Sequence, residues 1–100
     1  MPYVRVSLMQ PKSGRNDEVT ALLDDLGAHF AGQPGYLDGY GLHSNDGLVG
    51  RVTVWESAAA ADTAAQGDHV LAVRSRLNTD VVDGSHQEHA FEGKRYSQGA

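Results

Sequence analysis

Arg74 and Trp55 are side chains of types that could hold an aromatic anion. Arg74 falls inside an apolar helical stripe, since it is four residues after Val70 and three before Leu77. A guanidinium in such a stripe needs a carboxylate, a carbonyl or a ligand anion as its partner. Trp55 is the only tryptophan of the chain, and its flat ring could form one wall of a pocket. Residues of these two types could together line a site for a flat, negatively charged ligand.

Both residues also have a purely structural interpretation. Trp55 could fill the core, as large aromatic residues commonly do. Arg74 could extend its charged end to solvent, or it could pair with an acid such as Glu88. The functional and structural interpretations remain open at this stage.

Four further residues are candidates for catalysis or substrate binding. His69 begins a predicted helix and could act as a base, or it could be an ordinary surface histidine. Tyr36 and Tyr40 have the same parity in a predicted strand, so we expect them on one face, where they either pack in the core or line a pocket and contact a ligand. Arg51 has the parity of Trp55 and is expected to share its face.

Neither a metal nor an organic cofactor is expected. The chain has five histidines and no cysteine. His86 and His89 lie on opposite faces of a predicted strand, and the other histidines come from separate elements, so no local spacing suits a metal ion. The glycines of GYLDGYG lie in a predicted strand with no helix after them, which does not match a nucleotide-binding loop.

The composition limits the partners and the compartment. The net charge is −5 and only eight residues are Lys or Arg, so we expect no nucleic acid as a partner. No stretch approaches the roughly 20 apolar residues of a membrane span, and the first residues lack the pattern of a signal peptide. We expect a cytoplasmic protein that does not bind membranes, with one domain over residues 1–96 and a frayed tail over residues 97–100.

The elements that must position the candidate residues follow from hydrophobic periodicity and from helix and turn signals. The pattern predicts strands at 3–10, from 36 onwards, at 48–56 and near Ala90. It predicts helices at about 15–31 and 69–78, with a short Ala-rich helix between them. Ser13, Ser57 and Asp68 are expected N-caps, and Asn45-Asp46-Gly47 is an expected hairpin turn. The order predicts an α+β, ferredoxin-like βαββαβ fold with helices on one face of a four-stranded antiparallel sheet.

Several segments of the chain match a known family. They are PKSGRNDEV at 11–19, QPGY at 33–36, VWES at 54–57 and the Ala-rich helix that follows. In these segments the chain resembles the antibiotic biosynthesis monooxygenase family of the dimeric α+β barrel superfamily. The resemblance implies that two chains pair through their sheet faces to form a barrel. The apolar pairs on both sides of the third strand, Val52 with Val54 and Val49 with Trp55, also favour a homodimer.

The resemblance also implies an activity. Members that oxidise polyketide anthrones use neither metal nor flavin, and the deprotonated substrate reacts with oxygen directly. This chain has Arg51 where those members carry an asparagine. Its third helix has Arg74 where the haem-degrading branch has a histidine, which disfavours haem. The implied function is a cofactor-independent monooxygenase acting on a small aromatic, polyketide or quinone-type metabolite; the alternative is a non-catalytic dimeric module that binds a small hydrophobic ligand.

Overall fold

The computed structural model describes residues 1–97, and its elements follow the predicted order. In chain order they are β1 (Tyr3–Met9), α1 (Asn16–Ala31), β2 (Tyr36–His43), β3 (Val49–Trp55), α2 (Ala58–Ala64), α3 (Asp68–Asp80) and β4 (Gln87–Glu92). The frayed tail predicted at 97–100 lies, apart from Ser97, outside the described residues.

The four strands form one antiparallel sheet in the order β2-β3-β1-β4. β2 and β3 form the predicted hairpin, in which the Gly47 N–H donates to the Ser44 carbonyl. Gly47 has a φ of 93°, which glycine adopts without the steric cost that a Cβ would bring. The order of elements and strands confirms the predicted α+β, ferredoxin-like βαββαβ fold.

The core lies between one face of the sheet and the three helices. Met9, Val49 and Trp55 of the sheet are buried together with the apolar stripes of the helices. The stripe predicted on α1 is confirmed, as is the one on α3; the buried residues are Val19, Leu22, Leu23, Leu26 and Phe30 on α1, and Val70, Val73 and Leu77 on α3. Each fully buried large apolar side chain contributes about 1.5–3 kcal/mol to this packing.

The helix starts confirm one predicted cap and correct two. The Ser57 hydroxyl accepts from the Ala60 N–H at 3.1 Å, as predicted for the start of α2. Ser13 is not an N-cap, because a turn closed by a hydrogen bond from the Arg15 N–H to the Lys12 carbonyl contains it, and α1 begins after that turn. Asp68 is the first residue of α3 rather than its cap, since Gly67 occupies the cap position.

An irregularity in β2 corrects the expectation that Tyr36 and Tyr40 share a face. Tyr36 pairs with Trp55, whereas Asp38 pairs with Val54, so two steps along β2 match one step along β3. An extra residue in one strand reverses the inside-outside alternation beyond it. Tyr36 therefore packs against the core, and Tyr40, opposite Val52, lies on the other face with 62% of its surface exposed.

The face of the sheet that the helices leave uncovered is apolar. Val4 pairs with Val54 and Val6 with Val52, so the four valines lie together on this open face. Tyr40 lies on the same face on β2, and Phe91, which is 54% exposed, lies there on β4. The predicted separation of Val52 and Val54 from Val49 and Trp55 is confirmed.

Candidate active site

Four charged side chains meet on the helix-covered side of the sheet. Arg5, Arg51 and Glu88 come from neighbouring strands, because Ser7 of β1 pairs with Arg51 on one side and with Glu88 on the other. Arg74 reaches the same place from α3. We call Arg5, Arg51, Arg74 and Glu88 the arginine cluster.

Glu88 is the acidic member of the arginine cluster. Its carboxylate oxygens lie 3.7 Å from Arg5 Nη2 and 3.9 Å from Arg74 Nη2. At these distances the groups attract one another as charges without forming hydrogen bonds. Arg5 also lies 3.7 Å from Asp62, but that side chain is 64% exposed and its charge is largely screened. The three arginines of the cluster therefore outnumber its one carboxylate, and this part of the helix-covered side carries an excess of positive charge.

Arg51 is the member of the cluster whose hydrogen-bonding groups have the fewest partners in the described part of the chain. Its guanidinium carbon lies 5.1 Å from the centre of the Phe30 ring, and its buried Nε has no hydrogen-bond partner among the described residues. Burial lowers the pKa of Arg51; the nearby Glu88 carboxylate opposes this effect, and the charges of Arg74 and Arg5 add to it. A ligand anion would supply both the missing acceptor and the missing negative charge.

Three cavities border the arginine cluster. The inner cavity, between Trp55 and Arg74, is only about 10 Å³, which is room for roughly one water molecule. The β2 cavity is about 170 Å³ and is lined by Tyr36 and Arg51. The α3 cavity is also about 170 Å³ and is lined by Arg74. Arg51 borders the first two and Arg74 the first and third, so a ligand in any of them meets a guanidinium.

The β2 cavity continues toward a wider groove of about 370 Å³ between α1 and the β2-β3 hairpin. Both are lined by Leu23 and Asp24 of α1 and by Gly41. Gly39 and Gly41 lie on the helix-covered side of β2, since they pair with Thr53 and Arg51. At Gly41 the position of a side chain is open space, whereas at Gly39 the phenol of Tyr36 takes that position.

Trp55 takes a structural position at the edge of the inner cavity. It is 1% exposed, and its ring makes edge-on contacts with Phe30 and Tyr36 at centroid distances of 5.8 and 5.6 Å. Its indole N–H donates to Thr53 Oγ1 at 2.9 Å. The ring is thus fixed by core neighbours and borders a space too small for an aromatic ligand in this conformation.

Arg74 lies beside both an acid and two of the cavities. Its proximity to Glu88 confirms the pairing that the structural interpretation named. It also lines the inner and α3 cavities, which the functional interpretation requires. The Arg74 side chain is 39% exposed and that of Glu88 32%, so this edge of the cluster is open to solvent.

The two tyrosines are separated by the irregularity in β2. Tyr36 and Arg51 both line the β2 cavity, so the structure brings these two candidates together; their role in substrate binding stays a prediction. The Tyr36 phenol lies over Gly39, where an added Cβ would come within 2.5 Å of its oxygen. The Tyr40 hydroxyl donates to Asp38 on the open face at 3.4 Å, so the structure does not bring its phenol to the cluster.

His69 lies on the outer surface between α3 and α1. Its Nε2 is 3.0 Å from Asp25 Oδ2, and its ring centre is 4.8 Å from that of His29. His69 lines none of the three cavities at the cluster. The structure therefore does not join it to Arg74 and Trp55.

Sequence reasoning missed His86 and Ser7 as members of the site. The Ser7 hydroxyl is 2.8 Å from His86 Nε2 and 3.3 Å from Glu88 Oε1. Because Ser7 is 79 and 81 residues away from these partners along the chain, no local spacing could reveal the contact. Only the pairing of β1 with β4 brings them together.

Two further findings concern possible partners. Within residues 1–97, no group of three His, Asp or Glu side chains is arranged to hold a metal ion. In the same part of the chain, no helix is long and apolar enough to cross a membrane.

Comparison with known proteins identifies the family. The profile described as antibiotic biosynthesis monooxygenase matches residues 2–76, and the chain belongs to this family. The match ends within α3, so His86 and the whole of β4, including Glu88, lie beyond it. No curated protein matches the chain significantly.

Solved structures with the same fold include three from different organisms. The chain superposes on SnoaB, a cofactor-independent oxygenase from Streptomyces nogalater, with a TM-score of 0.82, 18% identity and 98% of each chain covered. For Rv0793 from Mycobacterium tuberculosis the TM-score is 0.87 at 17% identity, covering 97% of this chain and all of the other. A conserved protein from Methanosarcina mazei gives 0.85 at 16% identity, with 94% of each chain covered. At these identities the likeness establishes the fold.

Proposed function

We propose that this protein is a cofactor-independent monooxygenase that oxidises a small aromatic, polyketide or quinone-type metabolite. The observation that carries the proposal is Arg51, a buried guanidinium whose Nε lacks a partner among the described residues and whose neighbours add positive charge. An ionised phenol or enol oxygen of a substrate would give this Nε a hydrogen-bond acceptor and would neutralise part of the positive charge. Family membership and the structural likeness to an oxygenase support the same function.

The chemistry requires a substrate that reacts as its anion. Removing a proton from the carbon next to a ketone, or from a phenol, gives an electron-rich anion that can react with dioxygen. When a ring CH₂ group is oxidised to a carbonyl, one oxygen atom enters the product and the other leaves as water with the two hydrogens. The arginine cluster would favour the anion by charge, because fixed cations in a water-poor interior stabilise developing negative charge.

Oxygen uptake tests the proposal directly. The protein is mixed in air with a panel of anthrones, hydroquinones and hydroxynaphthalenes, while dissolved oxygen and quinone absorbance are followed. We expect uptake with at least one class of substrate, and a slower rate for Arg51→Met. Rates equal to the buffer control across the whole panel would contradict catalysis.

The size of the inner cavity favours one alternative, a non-catalytic module that binds a small hydrophobic ligand. A space of about 10 Å³ beside Trp55 does not admit a ring unless side chains move. This alternative predicts saturable binding of an aromatic anion that Arg74→Ala weakens, without oxygen consumption. Calorimetry and an oxygen electrode on the same samples separate the two functions.

We propose that two copies of the chain form a homodimer through their open sheet faces. Each copy contributes the single domain predicted over residues 1–96. The valines of β1 and β3 on this face, together with Tyr40 and Phe91, form an apolar surface. Exposure of such a surface to water is unfavourable. A second copy covers such a surface by symmetry. The cytoplasmic location stays a prediction from the sequence.

A further inference from the structure

His86 lies between the arginine cluster and the α3 cavity. Its Nε2 is 2.8 Å from Ser7 Oγ and 3.2 Å from Glu88 Oε1. The same side chain lines the α3 cavity opposite apolar residues of β1 and α3, among them Met9 and Leu77. The cavity therefore has an apolar side, and its polar side carries the imidazole of His86 and the positive charge of Arg74.

The contacts of His86 determine which ring nitrogen carries the proton in the neutral form. An ionised Glu88 only accepts hydrogen bonds, and the Ser7 hydroxyl donates to it. Ser7 Oγ and Glu88 Oε1 are then both acceptors toward Nε2, so the Nε2 position holds the hydrogen. The neutral ring is left with its lone pair on Nδ1, which makes Nδ1 the basic atom.

We propose that the α3 cavity binds a single-ring phenol and that His86 is the proton acceptor which converts it to the phenolate. The volume of about 170 Å³ suits one aromatic ring, since an apolar cavity of about 150 Å³ holds benzene. The inference rests on the proposed function, because it names the group that would generate the reactive anion. It concerns residues beyond position 76, where the family match ends.

The proton transfer leaves each new charge beside an opposite one. The phenol O–H bond breaks, the proton forms a bond to His86 Nδ1, and the electron pair remains on oxygen. The charged groups around His86 are Glu88 of β4, which would stabilise the imidazolium, and Arg74 of α3, which would stabilise the phenolate. Arg5 of β1 acts through Glu88, at 3.7 Å from its carboxylate.

The test uses 4-nitrophenol, whose anion is yellow, under anaerobic conditions and below the pH at which the free phenol ionises. Wild-type protein should bind the probe as the yellow phenolate. The pH of a weakly buffered solution should not fall on binding, because His86 keeps the proton that the phenol loses. His86→Gln should lower the ratio of bound phenolate to phenol by about tenfold or more, the effect of losing one opposite charge near an ionising group. His89→Gln, on the other face of β4, is the matched control.

A second variant locates the probe. Asn78 lines the α3 cavity and is exposed, so Asn78→Trp covers the cavity without disturbing the core and should abolish binding. Circular dichroism and thermal unfolding establish that each variant is folded.

Three results would overturn the inference. They are an equal ratio of bound phenolate to phenol in His86→Gln and His89→Gln, binding that Asn78→Trp leaves intact, and no binding to the wild-type protein. Because no oxygen is present, these outcomes are independent of the oxygen uptake that tests the proposed function.

Discussion

The guanidinium of Arg51 lies over the ring of Phe30, with 5.1 Å between its central carbon and the ring centre. A desolvated contact of this kind contributes up to about 2 kcal/mol. It does not replace the hydrogen bonds that a guanidinium makes in water, and Nε lacks a partner among the described residues. The contact therefore holds Arg51 in place while leaving part of its donor capacity for a ligand.

Arg51→Met should stabilise the unliganded protein by about 1–2 kcal/mol, since a buried and poorly paired charge is replaced by an apolar side chain of similar length. Burial lowers the pKa of Arg51, so the charged form is costly in the folded state. Deprotonation relieves this cost only as the pH rises through the strongly alkaline range, so at neutral pH the full cost is present. Urea unfolding at neutral pH measures the change, with the exposed Arg76→Met as control. A clear loss of stability would show that Arg51 is better satisfied than its contacts indicate.

Arg74→Ala should weaken binding of an aromatic anion by about tenfold to a hundredfold, the range expected when a charge-assisted contact of about 1.5–3 kcal/mol is lost. Arg74 lines two of the cavities at the cluster, whereas Arg76 is exposed on the same helix. Calorimetric titration with 4-nitrophenolate compares Arg74→Ala with Arg76→Ala. Equal affinities for the two variants would exclude Arg74 from the site.

Thr53→Val should destabilise the fold by about 1–3 kcal/mol, because the buried indole N–H of Trp55 loses its acceptor and Val cannot replace it. Chemical unfolding of the two single variants, Thr53→Val and Trp55→Phe, and of the double variant isolates the coupling between the residues. We expect Thr53→Val to cost much less when Trp55 is already Phe. Additive effects would mean that the hydrogen bond does not hold the indole.

Gly50→Ala should cost about 3 kcal/mol or more, because a Cβ at this position would overlap the Ser7 carbonyl, which is backbone of a central strand and cannot move aside. Gly41→Ala is the matched control on the next strand, since no atom of the described residues lies within 4 Å of the point that its new Cβ would occupy. Thermal unfolding distinguishes the two. Similar melting temperatures would show that the pairing of β1 with β3 adapts to the extra methyl group.

Val54→Lys should convert the proposed homodimer into a monomer, because it places a charge at the centre of the open face. Thr20→Lys, on the exposed side of α1, adds the same charge away from that face. Sedimentation velocity gives the assembly state of each protein. A monomeric wild type, or a dimeric Val54→Lys, would contradict assembly through the sheet.

The sequence predicted those features that depend on local periodicity. The stripe of α1 and the shared face of Arg51 and Trp55 follow from spacing within one element, and the structure has both. Tyr40 was placed on the wrong face because the irregular pairing near Asp38 arises between two strands and has no signature in β2 alone. His86 was missed for a related reason, since its contact with Ser7 exists only after β4 pairs with β1.

The irregular pairing at the start of β2 lets two residues of the same parity lie on opposite faces of the sheet. Tyr36, before the irregularity, belongs to the interior, and Tyr40, after it, belongs to the open face. Deleting Leu37 would make the pairing of β2 with β3 regular, and simple alternation would then keep Tyr36 in the interior and Tyr40 on the open face. One short strand thus contributes a phenol to the cavity that we propose for a ligand and a second phenol to the surface that we propose for a partner chain.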